Sequence, residues 1–276
     1  WRVREALLLA FNFEYINETI TGSAQPRISS YFSNSHLGLR PGPARGKVAQ
    51  FLQPFADKVP PGTLEGYSMP QSDGSKRNRK NLRRAMALLQ EAGLTVQDGA
   101  LRDASGQELS LNLLLRQGDS EMKTIVEIYA RALERLGITL TPEPVDNAQY
   151  VERQSNFDFD LTRIRRELSL SPGNEQRLYW GSAGADQPGS RNLMGIASPA
   201  VDAMIDTLLS VTDPEDFVAA TRALDRVLTA GRYVIPIWSF DKGRIAHARA
   251  LKFPKTLPIY GDRTGFMPDV WWYQED

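Results

Sequence analysis

The sequence has 276 residues, 41% of them hydrophobic, and its Lys plus Arg and Asp plus Glu totals are both 33. Balanced charge removes the electrostatic footprint of a nucleic-acid binder and any general pull toward an anionic membrane. With no cysteine, and only His36 and His247 as histidines, disulfides, thiolate metal sites, cysteine nucleophiles and a three-histidine zinc site are excluded.

Val3, Ala6, Leu7, Ala10 and Phe11 follow helical spacing, so the chain opens on an amphipathic helix. It begins at Trp1 inside that pattern, which reads as a processed or truncated start. Asn17 and Glu18 allow a second short helix. Residues 22 to 75 are rich in Gly, Pro and Ser and show little periodicity. Short extended pieces such as Arg27 to Phe32 are expected there, ordered by packing on something else.

Leu82, Ala85, Met86, Leu89 and Ala92 predict the next helix, with Gly93 at its C-terminal cap. Its basic run, Lys76, Arg77, Arg79, Lys80, Arg83 and Arg84, is either a solvated face or an anion site. Gly99 to Gly106 reads as a turn between short strands, and alternating Leu109, Leu111, Leu113 and Leu115 as a half-buried strand. Met122 to Leu136 predicts a long helix capped by Asp119 or Ser120 and ended by Gly137. Ile138 to Val145 is a strand that Pro142 and Pro144 place at a sheet edge. A short helix over Asn147 to Gln154 and a strand over Phe157 to Ile164 complete a βαβ pattern, so the sheet is parallel or mixed.

Ser169 to Asn192, SLSPGNEQRLYWGSAGADQPGSRN, is the least periodic stretch and the richest in polar groups. Such an excursion between regular elements suits a binding wall. Glu175 with Arg177, and Asp186 with Arg191, are also able to pair and shape the loop. Trp180 reads as core. Ser198-Pro199 and Asp213-Pro214 are helix starts, each with proline at the first helical position. Their buried stripes are Val201 to Leu209 and Phe217 to Leu228, and Gly231 ends the second. Tyr233 to Phe240 reads as a strand, and the tail from Ala250 is loop-like.

Several segments together resemble the dipeptide/oligopeptide class of extracellular solute-binding proteins, family 5. They are VREALLLAFNFEYIN, RKNLRRAMALLQEAG, ERLGITLTPEPVDNAQY, and the helix pair SPAVDAMIDTLLSVTDPEDFVAATRALDRVL with its closing RYVIPIW. The central stretch, Ser33-Asn34-Ser35 and Ser72 to Ser75 are similar to the Yej group, importers of oligopeptides and of the peptide-nucleotide microcin C. The resemblance implies an α/β, periplasmic-binding-protein-like lobe of type II, cluster C, with a mixed sheet flanked by helices. Residues 1 to 230 are then the C-terminal ligand-binding lobe, and 231 to 276 return to an N-terminal lobe formed by the preceding half of the protein. Trp271, Trp272 and Tyr273 are expected to pack on that half.

The implied function is capture of an oligopeptide or peptide-like solute for ABC permease subunits in the periplasm, with no catalysis and no cofactor. Glu167 is the expected partner of a peptide ammonium. Arg166 or Arg177 would meet an acidic group, Asn174 and Asn192 peptide amides, and Ser169 lies in the same wall. The family places a Trp shortly before its SLSPG segment. Here Arg166 stands near that place, which turns a stacking contact into a charged one. The competing readings are a hydrolase using Glu167 and Asp186, and a degenerate receptor lobe acting through a partner protein.

Overall fold

A computed structural model describes residues 1–239, 245–258, 267 and 269–275. Its helices are α1 (Arg2–Ala10), α2 (Phe13–Thr21), α3 (Gly46–Leu52), α4 (Arg79–Glu91), α5 (Ser120–Glu134), α6 (Asn147–Ser155), α7 (Glu175–Trp180), α8 (Pro199–Ser210) and α9 (Pro214–Ala230). The strands are β1 (Thr95–Gln97), β2 (Ala100–Arg102), β3 (Ser110–Arg116), β4 (Thr139–Val145), β5 (Leu161–Thr162), β6 (Leu251–Lys252) and β7 (Trp272–Tyr273).

The central sheet has the order β4-β3-β5, and both pairings are parallel. β4 is therefore an edge, as its prolines require. Pro142 and Pro144 sit opposite Leu113 and Leu115. They share one phase of the strand, so their missing N–H groups fall on the side away from β3. Between β3 and β4 runs α5, its first turn capped by Asp119, which accepts a hydrogen bond from the Met122 amide. Gly137 ends that connection at φ +77, where a Cβ would sit 2.8 Å from the Leu101 nitrogen. Only glycine combines that backbone with that approach.

The core has two parts. Leu9, Phe11, Ile16, Leu89, Ile125, Leu133 and Ile138 gather α1, α2, α4 and α5 against the sheet. Trp180, Ile196, Val201, Ile205, Leu224 and Leu228 join α7, α8 and α9 to residues 32–52. Ser198 caps α8 through the Val201 amide, and Asp213 caps α9 through the Glu215 and Asp216 amides.

The aperiodic stretch 22–75 takes its order from α9. The Asp225 carboxylate lies fully buried and accepts from Ser30 Oγ at 2.7 Å, Tyr31 N at 2.9 Å, Leu39 N at 2.8 Å, Phe32 N at 3.4 Å and Thr229 Oγ1 at 3.2 Å. Burial raises its pKa above the ordinary carboxylate value, and these donors oppose the rise. Next to it, the buried Arg226 donates to the carbonyls of Thr63 at 2.8 Å, Arg40 at 2.9 Å and Gly42 at 2.7 Å. Two adjacent charged residues of one helix thus hold both halves of a loop that has no sheet of its own.

Five sequence expectations change. β2 (Ala100–Arg102) lies inside Gly99 to Gly106, the stretch expected to be a turn. α2 begins at Phe13, before Asn17, whose buried side chain instead donates to the Gln25 carbonyl at 2.8 Å. α3 stands inside the stretch expected to be irregular. The strand over Phe157 to Ile164 shrinks to Leu161–Thr162, because Phe157 is left-handed at φ 56 and the Asp160 side chain, not a ladder bond, accepts from Asn112 N at 2.7 Å. The strand over Tyr233 to Phe240 reduces to one bridge, Arg27 with Trp238, beside the Ile28 N to Ile237 O bond of 3.3 Å. Pro236 has no N–H to extend that ladder, and Phe240 lies outside the described residues.

Candidate functional site

α6 ends at Ser155, β5 leads into residues 163–167, and loop 189–193 folds back over both. The Gly189 amide donates to the Ser155 carbonyl at 2.7 Å and fixes that loop. Between the three lies a recess of about 370 Å³, lined by Gln154, Arg165, Arg166, Glu167, Tyr179 and Arg191 among others.

Its wall is built by α7. The Glu175 carboxylate accepts from the Gly173 amide at 2.9 Å and opens the helix. Gln176 Oε1 then accepts from Trp180 Nε1 at 2.7 Å, one helical turn on. This bond lets a buried Trp keep its N–H satisfied while its ring joins the core. Tyr31 meets Trp180 edge-on at 4.9 Å. With Trp180 turned inward, its neighbour Tyr179 faces the recess.

Arg166 lies on this aromatic wall. Its guanidinium sits 4.0 Å from the Tyr179 ring centroid and 4.7 Å from that of Trp180. It donates to the Arg191 carbonyl at 3.0 Å. Burial pulls its pKa below the ordinary arginine value, Arg191 adds to that, and Tyr179 and Tyr31 oppose it. The surrounding arginines differ from it. Arg163 pairs with Asp119 and, at 3.6 Å, with Glu121, while Arg165 pairs with Glu167 at 3.3 Å. Among the described residues, Arg166 meets no carboxylate. It is a half-buried cation held by two rings and a carbonyl, with donors left for an anionic guest.

The other sequence candidates separate. Glu167 is at the exposed rim of the recess beside Arg165. Ser169 Oγ accepts from the Ser171 amide at 3.1 Å, a local turn. Asn174 is exposed at the start of α7 and makes no side-chain cap bond. Arg177 turns to the other side of α7 and pairs with Asp206 of α8 at 2.7 Å, not with Glu175, so it is outside the recess. Asp186 accepts a 3.5 Å contact from Gln187, and the Asp186–Arg191 pair that the sequence allowed is absent among the described residues.

Asn192 also leaves the ligand set. It is fully buried, donates to the carbonyls of Gly181 at 3.0 Å and Ile196 at 2.8 Å, and accepts from Ile196 N at 2.9 Å. These three bonds brace the loop from inside. Asn192→Ala is expected to strand three buried backbone groups and cost about 2–4 kcal/mol; the drop in urea midpoint measures it, and a change below about 0.5 kcal/mol would contradict the brace. Tyr179 is the contributor that sequence reasoning did not name, and Arg191 was weighed there as an ion-pair partner of Asp186. The aromatic pair Tyr179-Trp180 on a short helix, one ring in and one out, was the signal available.

His247 packs edge-on against Phe253 at 5.4 Å and Trp271 at 5.1 Å, and Trp271 stacks on Phe253 at 5.1 Å. Trp272 and Tyr273 remain exposed on β7. Among the described residues no group of three His, Cys, Asp or Glu side chains could hold a metal ion, and no helix is long and apolar enough to cross a membrane.

The profile of the bacterial extracellular solute-binding proteins, family 5, matches residues 1–187. The chain belongs to that family. It is 40% identical over 273 residues to the probable peptide-binding protein YejA of Agrobacterium fabrum, covering 98% of this chain and 44% of the relative. Identity to the peptidoglycan-binding protein YepA of the same organism is 36%, over 98% of this chain and 43% of the relative. The oligopeptide-binding protein AppA of Bacillus subtilis, solved with a nonapeptide, superposes with a TM-score of 0.68 at 18% identity, over 99% of this chain and 47% of AppA. The fold is thus that of the type II periplasmic oligopeptide-binding proteins. The chain spans less than half the length of the curated relatives it matches.

Proposed function

We propose that this chain is the C-terminal lobe of a periplasmic receptor that captures oligopeptides or peptide-like solutes and delivers them to an ABC permease. In this reading residues 1–230 form one wall of an interlobe cleft, and 231–276 run toward the lobe that closes over it. Hinged closure on the ligand would be the signal the permease reads.

The carrying observation is Arg166, a cation on an aromatic wall with no carboxylate partner among the described residues. A fork of this kind suits a carboxylate or phosphate, so the favoured guest is a peptide with an acidic group. An acidic side chain, a C-terminal carboxylate and the phosphate of a peptide-nucleotide such as microcin C all meet that requirement. Glu167, on the rim, is placed in sequence to receive the ammonium end. Three or four charge-assisted hydrogen bonds of about 1.5–3 kcal/mol each, less the cost of association, reach micromolar affinity, about −8 kcal/mol.

Calorimetric titration of the intact protein against peptide, sugar and metal-chelate pools tests this. Saturable micromolar binding of peptides is the expected result. Tight binding of a sugar or a metal chelate, with none of any peptide, would overturn it. Steady turnover of a peptide that is lost in Glu167→Gln would favour the hydrolase reading instead.

A further inference from the structure

A second recess, of about 520 Å³, opens between the start of α4 and the junction of α5 with β4. It shares no residue with the first. Arg77, Arg79, Arg83 and Arg135 line it, over a floor of Leu82, Met86 and Leu136.

Four exposed arginines line one recess in a chain whose formal net charge is zero. Among the described residues none of the four meets a carboxylate. Their neighbours do: Arg84 pairs with Glu5 at 3.4 Å, and Arg2 with Glu91 at 3.3 Å. Arg135 is drawn instead to the Arg77 carbonyl, at 3.3 Å.

The arrangement costs the fold something. Arg79 and Arg83 are four residues apart on one helix, a spacing at which like charges repel. Arg79 and Lys80 lie at the positive end of the α4 dipole, and the first turn holds no acid. The residue placed to cap it, Asn78, is left-handed and turns its side chain inward to the Leu9 carbonyl, at 2.9 Å. Among the described residues no carboxylate pairs with these arginines to offset the repulsion. An anion in the recess would offset it.

The geometry points to a site for a phosphate group, separate from the peptide recess, with the organic part of the ligand lying over Leu82, Met86 and Leu136. A lone carboxylate brings one charge. A phosphate monoester brings about two charges and three acceptor oxygens, enough for several arginine forks at once. The volume falls in the range of small-molecule sites, about 300–1,000 Å³. A soluble phosphate ester and the headgroup of an anionic lipid offer the same chemistry.

The test titrates the full chain at low salt with inorganic pyrophosphate. In parallel, it is co-sedimented with phosphatidylcholine vesicles with and without phosphatidic acid. The double variant Arg83→Gln/Arg135→Gln is expected to weaken binding at least tenfold. Arg131→Gln, an exposed change on α5 outside the recess, serves as the charge control and is expected to leave it unchanged. Vesicle binding that needs phosphatidic acid and is lost in the double variant assigns a lipid source. Pyrophosphate binding without vesicle binding assigns a soluble one. If neither probe binds saturably, or Arg131→Gln weakens binding as much as the double variant, the site does not exist.

Discussion

Glu5→Ala is expected to lower the stability of the chain by about 3–5 kcal/mol, the cost of leaving a buried charge alone. Glu5 and Arg232 form an ion pair of 2.7 Å, with side chains 2% and 6% exposed. Tyr67 donates its hydroxyl to the same carboxylate at 2.8 Å, and its ring lies 4.1 Å from the Arg232 guanidinium. Arg232 also donates to the Pro61 carbonyl at 3.1 Å. One buried cluster therefore ties α1, the end of α9 and the loop before α4. Arg232 is left-handed at φ 56, so the side chain is held here at a backbone cost as well. At the preceding Gly231 an added Cβ would meet the Tyr233 ring at 2.0 Å, so a larger residue there would displace that ring. In urea unfolding, Glu5→Ala and Arg232→Ala should each shift the midpoint strongly. The double variant should lose clearly less than their sum, because neither charge is then left unpaired. Strict additivity would mean that the pair is not coupled.

Asp225→Ala is expected to cost a similar amount, about 3–5 kcal/mol, by a different route. Five donors converge on this carboxylate, three of them backbone amides of residues 31, 32 and 39. Removing it strands them in a dry environment, so residues 30–39 should detach before the rest unfolds. The expected results are a lower urea midpoint and new proteolytic cleavage confined to that loop. A stability loss below about 1 kcal/mol, with the loop still protected, would show that packing alone orders it.

This dependence explains what could be read from the sequence. α4, α5, α8 and α9 each carry a 3.6-residue apolar stripe, and Asp119, Ser198 and Asp213 cap their helices as side-chain chemistry requires. Local signals sufficed there. The order of residues 22–75 was not legible, because its cause lies 162 to 195 residues away in Asp225 and Arg226. The same limit applies to the strands before and after α7. Their residues have strand propensity, but Pro236 and the left-handed Phe157 cut the ladders short.

The recess was legible in part. Arg166 stood out because the resemblance led to the expectation of an aromatic ring at that place, and the structure sets the arginine on the rings of Tyr179 and Trp180. Asn192 and Arg177 looked equally suitable as residue types. One is consumed by its own loop and the other by Asp206. Residue type names what a side chain is able to bind, but not which neighbour reaches it first.

On the proposed function, Arg166 receives the acidic group of a peptide ligand. A double-mutant cycle tests it most directly, by calorimetry on the intact protein. The wild type and Arg166→Gln are each titrated with a glutamate-containing peptide and with its glutamine counterpart. The expected result is at least tenfold weaker binding of the acidic peptide in Arg166→Gln, little change for the neutral one, and a coupling of about 1.4 kcal/mol or more. Equal losses for both peptides, or none for either, would contradict it.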